Sequence, residues 1–329
     1  MEKIKNLKVN MEQKILLADN VVIVPHNVVD FDAIGSAIGL SMIAKKLKRP
    51  SCIVVNDPPY KIDQGVQAII EEAKKDFNII NKDKYLQNKS ENDLFILTDV
   101  NKSNLISLPE VVPSKEQVII IDHHGTDDRT IQADDEYIDL QVSSASEVIS
   151  KLICMYKIKL TPEIANYLLA GIYLDTNKLT KNVSPETMKT VAKLLESGAN
   201  MNRITDLFVE DFISDRKVQE LVSRAKILTY SIATVCADEN EEFTGIELAK
   251  AADYLLKYKV DAAFAIGKVS DDVISISARS KERVNVGEVM EALQGGGNQY
   301  SGATKLTDCT IEEAGKKLTK IIQPPCYIR

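Results

Sequence analysis

The sequence has 329 residues, enough for two domains, and its 44% hydrophobic and 27% charged residues are typical of a globular protein with a sizeable core. Its formal net charge of −7 argues against binding along extended nucleic acid, which requires a large basic surface. No apolar run approaches the roughly 18 residues that span a membrane, and the residues after Met1 are too charged for a signal peptide. The 5 cysteines form no CxxC pair, so we expect reduced thiols and a cytoplasmic protein.

Four short β-branched runs alternate with helical segments over about the first 190 residues. The runs are VVIV (21–24), CIVV (52–55), LFIL (94–97) and VIII (118–121). Such runs fit strands that are covered on both faces, as in a parallel sheet. Between the first two lies AIGSAIGLSMIAKKLK, which has a helical apolar spacing and a cationic end that suits a helix C-terminus. The alternation predicts a doubly wound α/β domain.

Two helices with well-marked beginnings are predicted further along this domain. Thr161 and Ser184 can cap them, and each is followed by a proline in the first turn. Gly198 suits the end of the second helix. The polar segment 82–93 is predicted to be a solvated loop.

The remaining third of the chain has a different order of elements. A charged, helical stretch around 203–227 predicts a connection between domains. After it, YSIATVCAD, AAFAIGKV and VISISARS are strand-like, GIELAKAADYLLKY and NVGEVMEAL are helical, and the glycine-rich QGGGNQYSGAT follows. We therefore expect an α/β domain at 1–200, a helical linker at 201–227 and a smaller α+β domain at 228–329.

Acidic and imidazole side chains recur where predicted elements of the first domain end. They are His26, Asp30, Asp32, Asp99, Asp122, His123, His124 and Asp175. The C-terminal ends of parallel strands face one crevice, so these side chains should converge. A single aspartate after a strand is often only a cap or a turn former. Because the set includes all 3 histidines of the chain, a metal site explains it better.

The ligand types indicate which metal is expected. Carboxylates with imidazole and no thiolate suit Mn²⁺, Mg²⁺ or Fe²⁺ better than structural zinc. Four carboxylates and two histidines exceed the needs of one ion. Two cations about 3.5–4 Å apart can clamp a phosphoryl group and activate a water. We expect two divalent ions, with Mn²⁺ as the first choice and Mg²⁺, Fe²⁺ or Co²⁺ as alternatives.

These motifs resemble those of the DHH phosphoesterase superfamily. The similar segments are HNVVDFDAIGS, DHH at 122–124, SSASE at 143–147 and GIYLDT. The C-terminal GGGNQYSGAT resembles the glycine motif of the nucleotide-binding domain associated with that superfamily. The resemblance implies a parallel-sheet DHH domain and a smaller α+β domain, with an active-site cleft between them.

Within the superfamily, IVVNDPPY, LLAGIYLDTNKLT and ISARS resemble the catalytic half of GdpP-type cyclic-di-AMP phosphodiesterases. Those proteins usually carry membrane helices, a PAS domain and a degenerate GGDEF domain in front, so we expect a stand-alone version or an excised catalytic unit. The resemblance implies hydrolysis of cyclic-di-AMP to linear pApA. Cleavage of pApA and other short oligonucleotides, pAp phosphatase activity, and a cyclic-dinucleotide-binding regulator without turnover are the alternatives. No long nucleic acid or membrane partner is expected, and a homodimer stays open.

The resemblance also implies which residues bind metal. His26 and Asp30 would bind the first ion. Asp32, His123 and Asp175 would bind the second. Asp99 would bridge the two ions.

By the same resemblance, His124 would donate a hydrogen bond to the scissile phosphate and Asp122 would orient a neighbouring histidine. The expected substrate contacts are Arg279, Gly295, Gly296, Gly297, Asn298 and Ser144. For Ser144 and Glu147 a purely local role is an equal alternative. The sequence departs from the family pattern at Val29, where the family has proline, and at Asn298, where it has histidine. The DHHG segment also lacks the basic residues that GdpP proteins often carry there.

Overall fold

The computed structural model describes residues 2–56, 62–109, 114–209, 212–228, 231–281, 283–297 and 299–322. The chain divides into two compact units, of which the first ends at Val209 and the second contains the rest of the chain. Each unit contains one six-stranded sheet. None of the described helices is both long and apolar enough to cross a membrane.

The sheet of the first unit is parallel throughout, as the sequence predicts. Its strands are Val21–Val24 (β1), Ser51–Val54 (β2), Ile79–Ile80 (β3), Leu94–Thr98 (β4), Val118–Asp122 (β5) and Asp135–Ile138 (β6). Their order in the sheet is β3-β2-β1-β4-β5-β6, and every neighbouring pair is parallel. The order reverses between β1 and β4, and open α/β sheets bind ligands beyond the strand C-termini at such a point.

The helices of the first unit cover mainly one face of this sheet. They are Glu2–Leu17 (α1), Phe31–Lys46 (α2), Gln64–Ala73 (α3), Lys82–Leu86 (α4), Ala145–Met155 (α5), Pro162–Asp175 (α6), Pro185–Glu196 (α7) and Met201–Leu207 (α8). Val21 and Ile23 of β1 pack in the core that these helices form, whereas Val22 and Val24 pack in a second core with Tyr85 of α4. The apolar strands are therefore covered on both faces, which explains why they do not alternate with polar residues.

Some local predictions from the sequence agree with the structure of the first unit, and the prediction for segment 82–93 does not. Thr161 and Ser184 cap α6 and α7, as predicted. The segment 82–93, predicted to be a solvated loop, instead contains α4 and buries Tyr85 and Asp93, which are joined by a hydrogen bond of 3.0 Å. The polar composition of the segment concealed that burial, because the Asp93 carboxylate accepts hydrogen bonds from protein donors, including Asn20 as well as this hydroxyl.

The second unit is an α+β domain. Its helices are Phe212–Ser223 (α9), Gly245–Leu256 (α10), Val286–Glu291 (α11) and Ile311–Ile322 (α12). Its strands are Lys226–Ile227 (β7), Ile232–Cys236 (β8), Ala262–Ser270 (β9), Val273–Ser280 (β10), Gly296–Gly297 (β11) and Ser301–Thr307 (β12). The order is β11-β12-β10-β9-β8-β7, in which only β8 and β9 pair in parallel. The segment 201–227 holds α8 of the first unit and α9 of the second.

Candidate metal centre

The connection from β1 to α2 places the imidazole of His26 beside two carboxylates. Its Nδ1 lies 2.8 Å from the carbonyl oxygen of Asn27, which can only accept, so Nδ1 carries the proton and donates. In the neutral ring Nε2 is then an available ligand. This Nε2 lies 3.5 Å from Oδ2 of Asp30 and 3.4 Å from Oδ2 of Asp99.

Asp30 has a second function as the N-cap of α2. Its Oδ1 accepts hydrogen bonds from the backbone N–H groups of Asp32 and Ala33, both at 2.9 Å. Such caps satisfy helix N–H groups that have no intrahelical partner. The other oxygen, Oδ2, is the one near His26, so capping and ligation use different atoms.

Asp32 is fully buried and lies against the N-terminus of α5. Its Oδ2 and Oδ1 accept from the backbone N–H groups of Ala145 and Ser146 at 2.7 and 2.8 Å. The positive end of the helix dipole favours this carboxylate, but burial and the charges of Asp99 and Asp175 outweigh it and raise the pKa of Asp32 well above its usual value. A Cβ on Gly171 of α6 would lie 2.7 Å from Asp32 Oδ1, so glycine is required for the close approach of α6. Asp32 Oδ2 lies 3.9 Å from His123 Nε2.

Asp99 follows β4 in a left-handed backbone conformation, with φ of +58°. This conformation costs about 1–3 kcal/mol for a non-glycine residue, although aspartate tolerates it better than most. A hydrogen bond of 2.9 Å from its backbone N–H to the carbonyl of Ile121 holds it in place. Its Oδ2 lies 3.4 Å from His26 Nε2, and its Oδ1 lies 3.2 Å from His123 Nε2. The Asp99 carboxylate therefore lies between two imidazoles.

The end of β5 gives the two neighbouring histidines different surroundings. Oδ1 of the buried Asp122 accepts from the backbone N–H of His123 at 2.7 Å and from Nδ1 of His124 at 2.9 Å. The His124 side chain is 54% exposed, whereas that of His123 is 14% exposed. His123 Nε2 also lies 3.2 Å from Oδ2 of Asp175, the last residue of α6.

Four buried atoms of this cluster have no hydrogen-bond partner in the part of the chain that the structure describes. They are Asp99 Oδ1, Asp122 Oδ2, His123 Nε2 and Asp175 Oδ2. A buried polar atom without a partner costs about 1–3 kcal/mol. A divalent cation would satisfy several such atoms at once, and carboxylate and imidazole are suitable donors for one.

The ligand atoms fall into three sets, each with all its atoms within 4.8 Å of one another. The sets are His26, Asp30 and Asp99; Asp32, His123 and Asp175; and Asp99, Asp122, His123 and His124. Asp99 belongs to two of them together with different partners, so its carboxylate connects the His26 and His123 sides of the cluster. The residues present fit a divalent-cation centre.

The crowded carboxylates change the pKa values of the cluster. Burial lowers the pKa of His123, but the adjacent Asp175 and Asp99 carboxylates outweigh it and raise the pKa to about 12. Burial, together with the negative charge of Asp99, raises the pKa of Asp175 to about 6. Without a cation, the positive charge that balances these carboxylates is thus supplied by protons on imidazole.

Ser144 and Glu147 have structural partners inside the first unit. The fully buried Ser144 caps α5 by accepting from the backbone N–H of Glu147 at 3.1 Å. Glu147 accepts from Thr187 of α7 at 2.9 Å and from the hydroxyl of Ser143 at 2.6 Å. The structure does not bring Ser144 into the ligand cluster.

Arg279, on β10 of the second unit, also has internal partners. Its Nε lies 3.1 Å from Oδ1 of Asp253, and its Nη1 donates to the carbonyl of Ala278 at 3.0 Å. Its side chain remains 25% exposed. Asn298 lies outside the described residues.

Two of the three predicted glycines are required by the β11–β12 hairpin itself. A Cβ on Gly295 would lie 2.3 Å from the carbonyl oxygen of Ala303. Gly297 has φ of +157°, and its Cβ would lie 2.3 Å from the carbonyl oxygen of Ser301. A Cβ on Gly296 would meet no described atom within 4 Å. Of these three glycines, only Gly296 has room for a side chain among the described residues, although its backbone pairs with Ala303 of β12.

Sequence reasoning missed two contributors to the centre. The N-terminus of α5 holds Asp32, and the SSASE segment could have signalled it as a helix start. Asn101, which is 1% exposed, donates to the backbone carbonyl of His124 at 3.2 Å. In the sequence, only the position of Asn101 two residues after Asp99 could have indicated this contact.

Two family models match this sequence. The N-terminal domain of the DHH family matches residues 20–172, and the DHHA1 domain matches residues 225–323. Two curated relatives are the cyclic-di-AMP phosphodiesterases GdpP of Geobacillus thermodenitrificans and PdeA of Listeria monocytogenes. They are 32% and 30% identical to this chain. Each alignment covers 95% of this chain and 48% of the length of the relative. The chain thus spans about half the length of these relatives.

A solved structure has the same fold over nearly the whole chain. It is an exopolyphosphatase-related protein from Bacteroides fragilis, with a TM-score of 0.82 at 22% identity, covering 96% of this chain and 95% of that one. The chain therefore belongs to the DHH family and combines its N-terminal domain with a DHHA1 domain.

Proposed function

We propose that this chain is a metal-dependent phosphodiesterase that hydrolyses cyclic-di-AMP to linear pApA. The observation that carries the proposal is the cluster of carboxylates and imidazoles in which four buried atoms lack a hydrogen-bond partner among the described residues. The names of the two relatives, which match 95% of this chain, support a cyclic dinucleotide as substrate.

Two divalent ions, with Mn²⁺ as the first choice, would occupy this cluster. His26 and Asp30 would hold one of them. Asp32, His123 and Asp175 would hold the other, with Asp99 shared by both. When bound, such ions supply positive charge to a phosphate and lower the pKa of a water.

His124 would contact the substrate. Its Nδ1 donates to Asp122, which fixes the orientation of the ring, and the ring is more than half exposed. Burial lowers its pKa, but the hydrogen bond with Asp122 and the charge of Asp99 outweigh this and raise the pKa above the ordinary value. The imidazolium form would donate from Nε2 to a phosphate oxygen as that oxygen gains charge in the transition state.

In the second unit, Arg279 and the backbone at Gly296 would hold the nucleotide. The guanidinium would exchange the exposed carboxylate of Asp253 for a phosphate, which it can bind with two donors. The open face of Gly296 would allow a nucleotide to approach the backbone closely.

The test is product analysis with Mn²⁺ and each candidate substrate in turn. We expect cyclic-di-AMP to be consumed and pApA to appear first. Hydrolysis of pApA or pAp without hydrolysis of the cyclic dinucleotide would replace the proposal with an oligoribonuclease or pAp phosphatase. Tight binding of cyclic-di-AMP without hydrolysis at saturating Mn²⁺ would instead indicate a regulator.

A further inference from the structure

His124 lies in a segment with little regular structure to hold it. Strand β5 ends at Asp122, and residues 123–134, all described, contain no helix and no strand of the sheets. Gly125 follows directly and has open space around it. Asp122 holds the ring of His124 and its backbone N–H, but it does not hold the backbone carbonyl.

That carbonyl is held by Asn101. The Asn101 side chain is 1% exposed, and its Nδ2 donates to the carbonyl of His124 at 3.2 Å and approaches that of Gly125 at 3.5 Å. The backbone carbonyl of Asn101 in turn accepts from the N–H of Ile131 at 2.8 Å. One buried residue after β4 therefore holds both ends of the loop that follows β5.

The orientation of the Asn101 amide is set by its neighbours. Carbonyl oxygens only accept hydrogen bonds, so the NH₂ group must face His124 and Gly125. Its Oδ1 is buried and has no hydrogen-bond partner among the described residues. The donor atom, rather than the volume of the side chain, is what this site requires.

We infer that Asn101 is a positioning residue for the reaction: through the backbone of His124 it fixes where the imidazole meets the substrate phosphate. This inference rests on the proposed function of His124. Asn101 would act through the hydrogen bonds of its amide to the backbone carbonyls of His124 and Gly125, so bound metal is measured beside turnover to separate this effect from metal binding. A displacement of about 1 Å in a reacting group can cost on the order of 100-fold in rate.

The test uses two replacements of nearly equal size that lack the donor, Asn101→Leu and Asn101→Asp. For both we expect kcat for cyclic-di-AMP to fall about 10- to 100-fold, with KM within about threefold and bound Mn²⁺ unchanged. Lys102→Met is the control, because it removes an ion pair of 2.8 Å with Asp127 that holds the same loop farther from His124. An equal loss of kcat in the control, or loss of metal in both Asn101 variants, would overturn the inference.

A second measurement does not depend on turnover. The chain has only 3 histidines, so the ring resonances of the Mg²⁺-loaded, histidine-labelled protein can be assigned one by one. In both variants the His124 resonance should shift, while those of His26 and His123 stay in place. An unshifted His124 resonance would overturn the inference even if the wild-type protein failed to hydrolyse cyclic-di-AMP, a failure that would count against the proposed function alone.

Discussion

The two units of this chain differ in how their predicted functional residues are satisfied. In the first unit, four buried atoms of the carboxylate and imidazole cluster have no hydrogen-bond partner among the described residues. In the second unit, Arg279 is paired with Asp253, and Gly295 and Gly297 are packed against β12. A cation would satisfy several of the atoms in the first arrangement, whereas the described residues of the second already have partners within their own unit.

This difference indicates what each motif requires. Unsatisfied buried atoms in a set of carboxylates and imidazoles are not explained by the packing of the fold, and they are suited to binding a cation. A glycine or arginine motif that is satisfied internally can be explained by the fold, and only its remaining open atoms are available for a ligand. Among the described residues predicted to contact a ligand, the candidates are Gly296, where an added Cβ would meet no described atom within 4 Å, and the exposed part of the Arg279 side chain.

The largest effect is expected at Asp99. Asn replaces the carboxylate with an amide of the same shape that also tolerates a positive φ, so Asp99→Asn should fold normally. This variant should lose bound Mn²⁺. Its kcat should fall by more than the loss of roughly 100-fold that follows replacement of a residue that only hydrogen-bonds to a metal ligand. Metal analysis and turnover measure both quantities.

Asp93→Asn is the matched control for Asp99→Asn. Asp93 is also buried, at 2% exposure, but it accepts hydrogen bonds from Tyr85 and Asn20. Its replacement should lower the free energy of unfolding by about 1–3 kcal/mol and leave the metal content unchanged. Equal metal content in the Asp99 variant and in the control would show that Asp99 is not a metal ligand.

Metal binding in the first unit should release protons. A cation needs neutral imidazole, and the pKa of His123, raised to about 12, means that this ring is protonated at neutral pH in the metal-free protein. Apparent Mn²⁺ affinity should therefore rise by up to about tenfold per pH unit for each proton displaced. Below about pH 6 the carboxyl of Asp175 is protonated as well and must also lose its proton, so the apparent Mn²⁺ affinity falls more steeply as the pH is lowered further.

Calorimetric titration with Mn²⁺ in two buffers of different ionisation enthalpy measures this release. The observed enthalpy should differ between the buffers, because they take up the protons that the cation displaces. Identical enthalpies in the two buffers would show that the ligands are already deprotonated, contrary to the crowding of carboxylates around His123.

The sequence predicted those parts of the fold and centre that depend on local pattern. The β-branched runs marked β1, β2, β4 and β5, and the ends of predicted elements marked the carboxylates and imidazoles that the structure brings together. Strands β3 and β6 were missed, because Ile79–Ile80 has only two residues and Asp135–Ile138 is polar. The contact of Asp32 with the N-terminus of α5 depends on tertiary packing across more than 100 residues, which no local pattern contains.

A smaller effect is expected at Arg279. Arg279→Gln should raise KM for cyclic-di-AMP about tenfold, because a hydrogen bond to a charged group contributes about 1.5–3 kcal/mol. Turnover of bis-p-nitrophenyl phosphate, which has no nucleoside, should be unchanged, since the metal centre is intact. The control is Arg283→Gln, an arginine of the same unit that is 72% exposed. An unchanged KM in Arg279→Gln would assign this arginine to its ion pair with Asp253 alone.

The smallest effects distinguish the glycines of the second unit. Gly297→Ala should lower the free energy of unfolding by about 1–3 kcal/mol, because its φ of +157° and the nearby carbonyl of Ser301 oppose a side chain. Gly296→Ala should change it by no more than about 0.5 kcal/mol, since its Cβ meets open space. Urea unfolding of both variants measures the difference. Equal destabilisation would mean that Gly296 also serves the hairpin rather than a ligand.

The number and position of bound cations test the central claim most directly. Crystals of the wild-type protein grown with Mn²⁺ can be measured at the manganese absorption edge to give an anomalous difference map. We predict two peaks, one beside His26 and Asp30 and one beside His123 and Asp175, with the Asp99 carboxylate between them. A single peak, peaks elsewhere, or none at saturating Mn²⁺ would contradict a two-cation centre built from these residues.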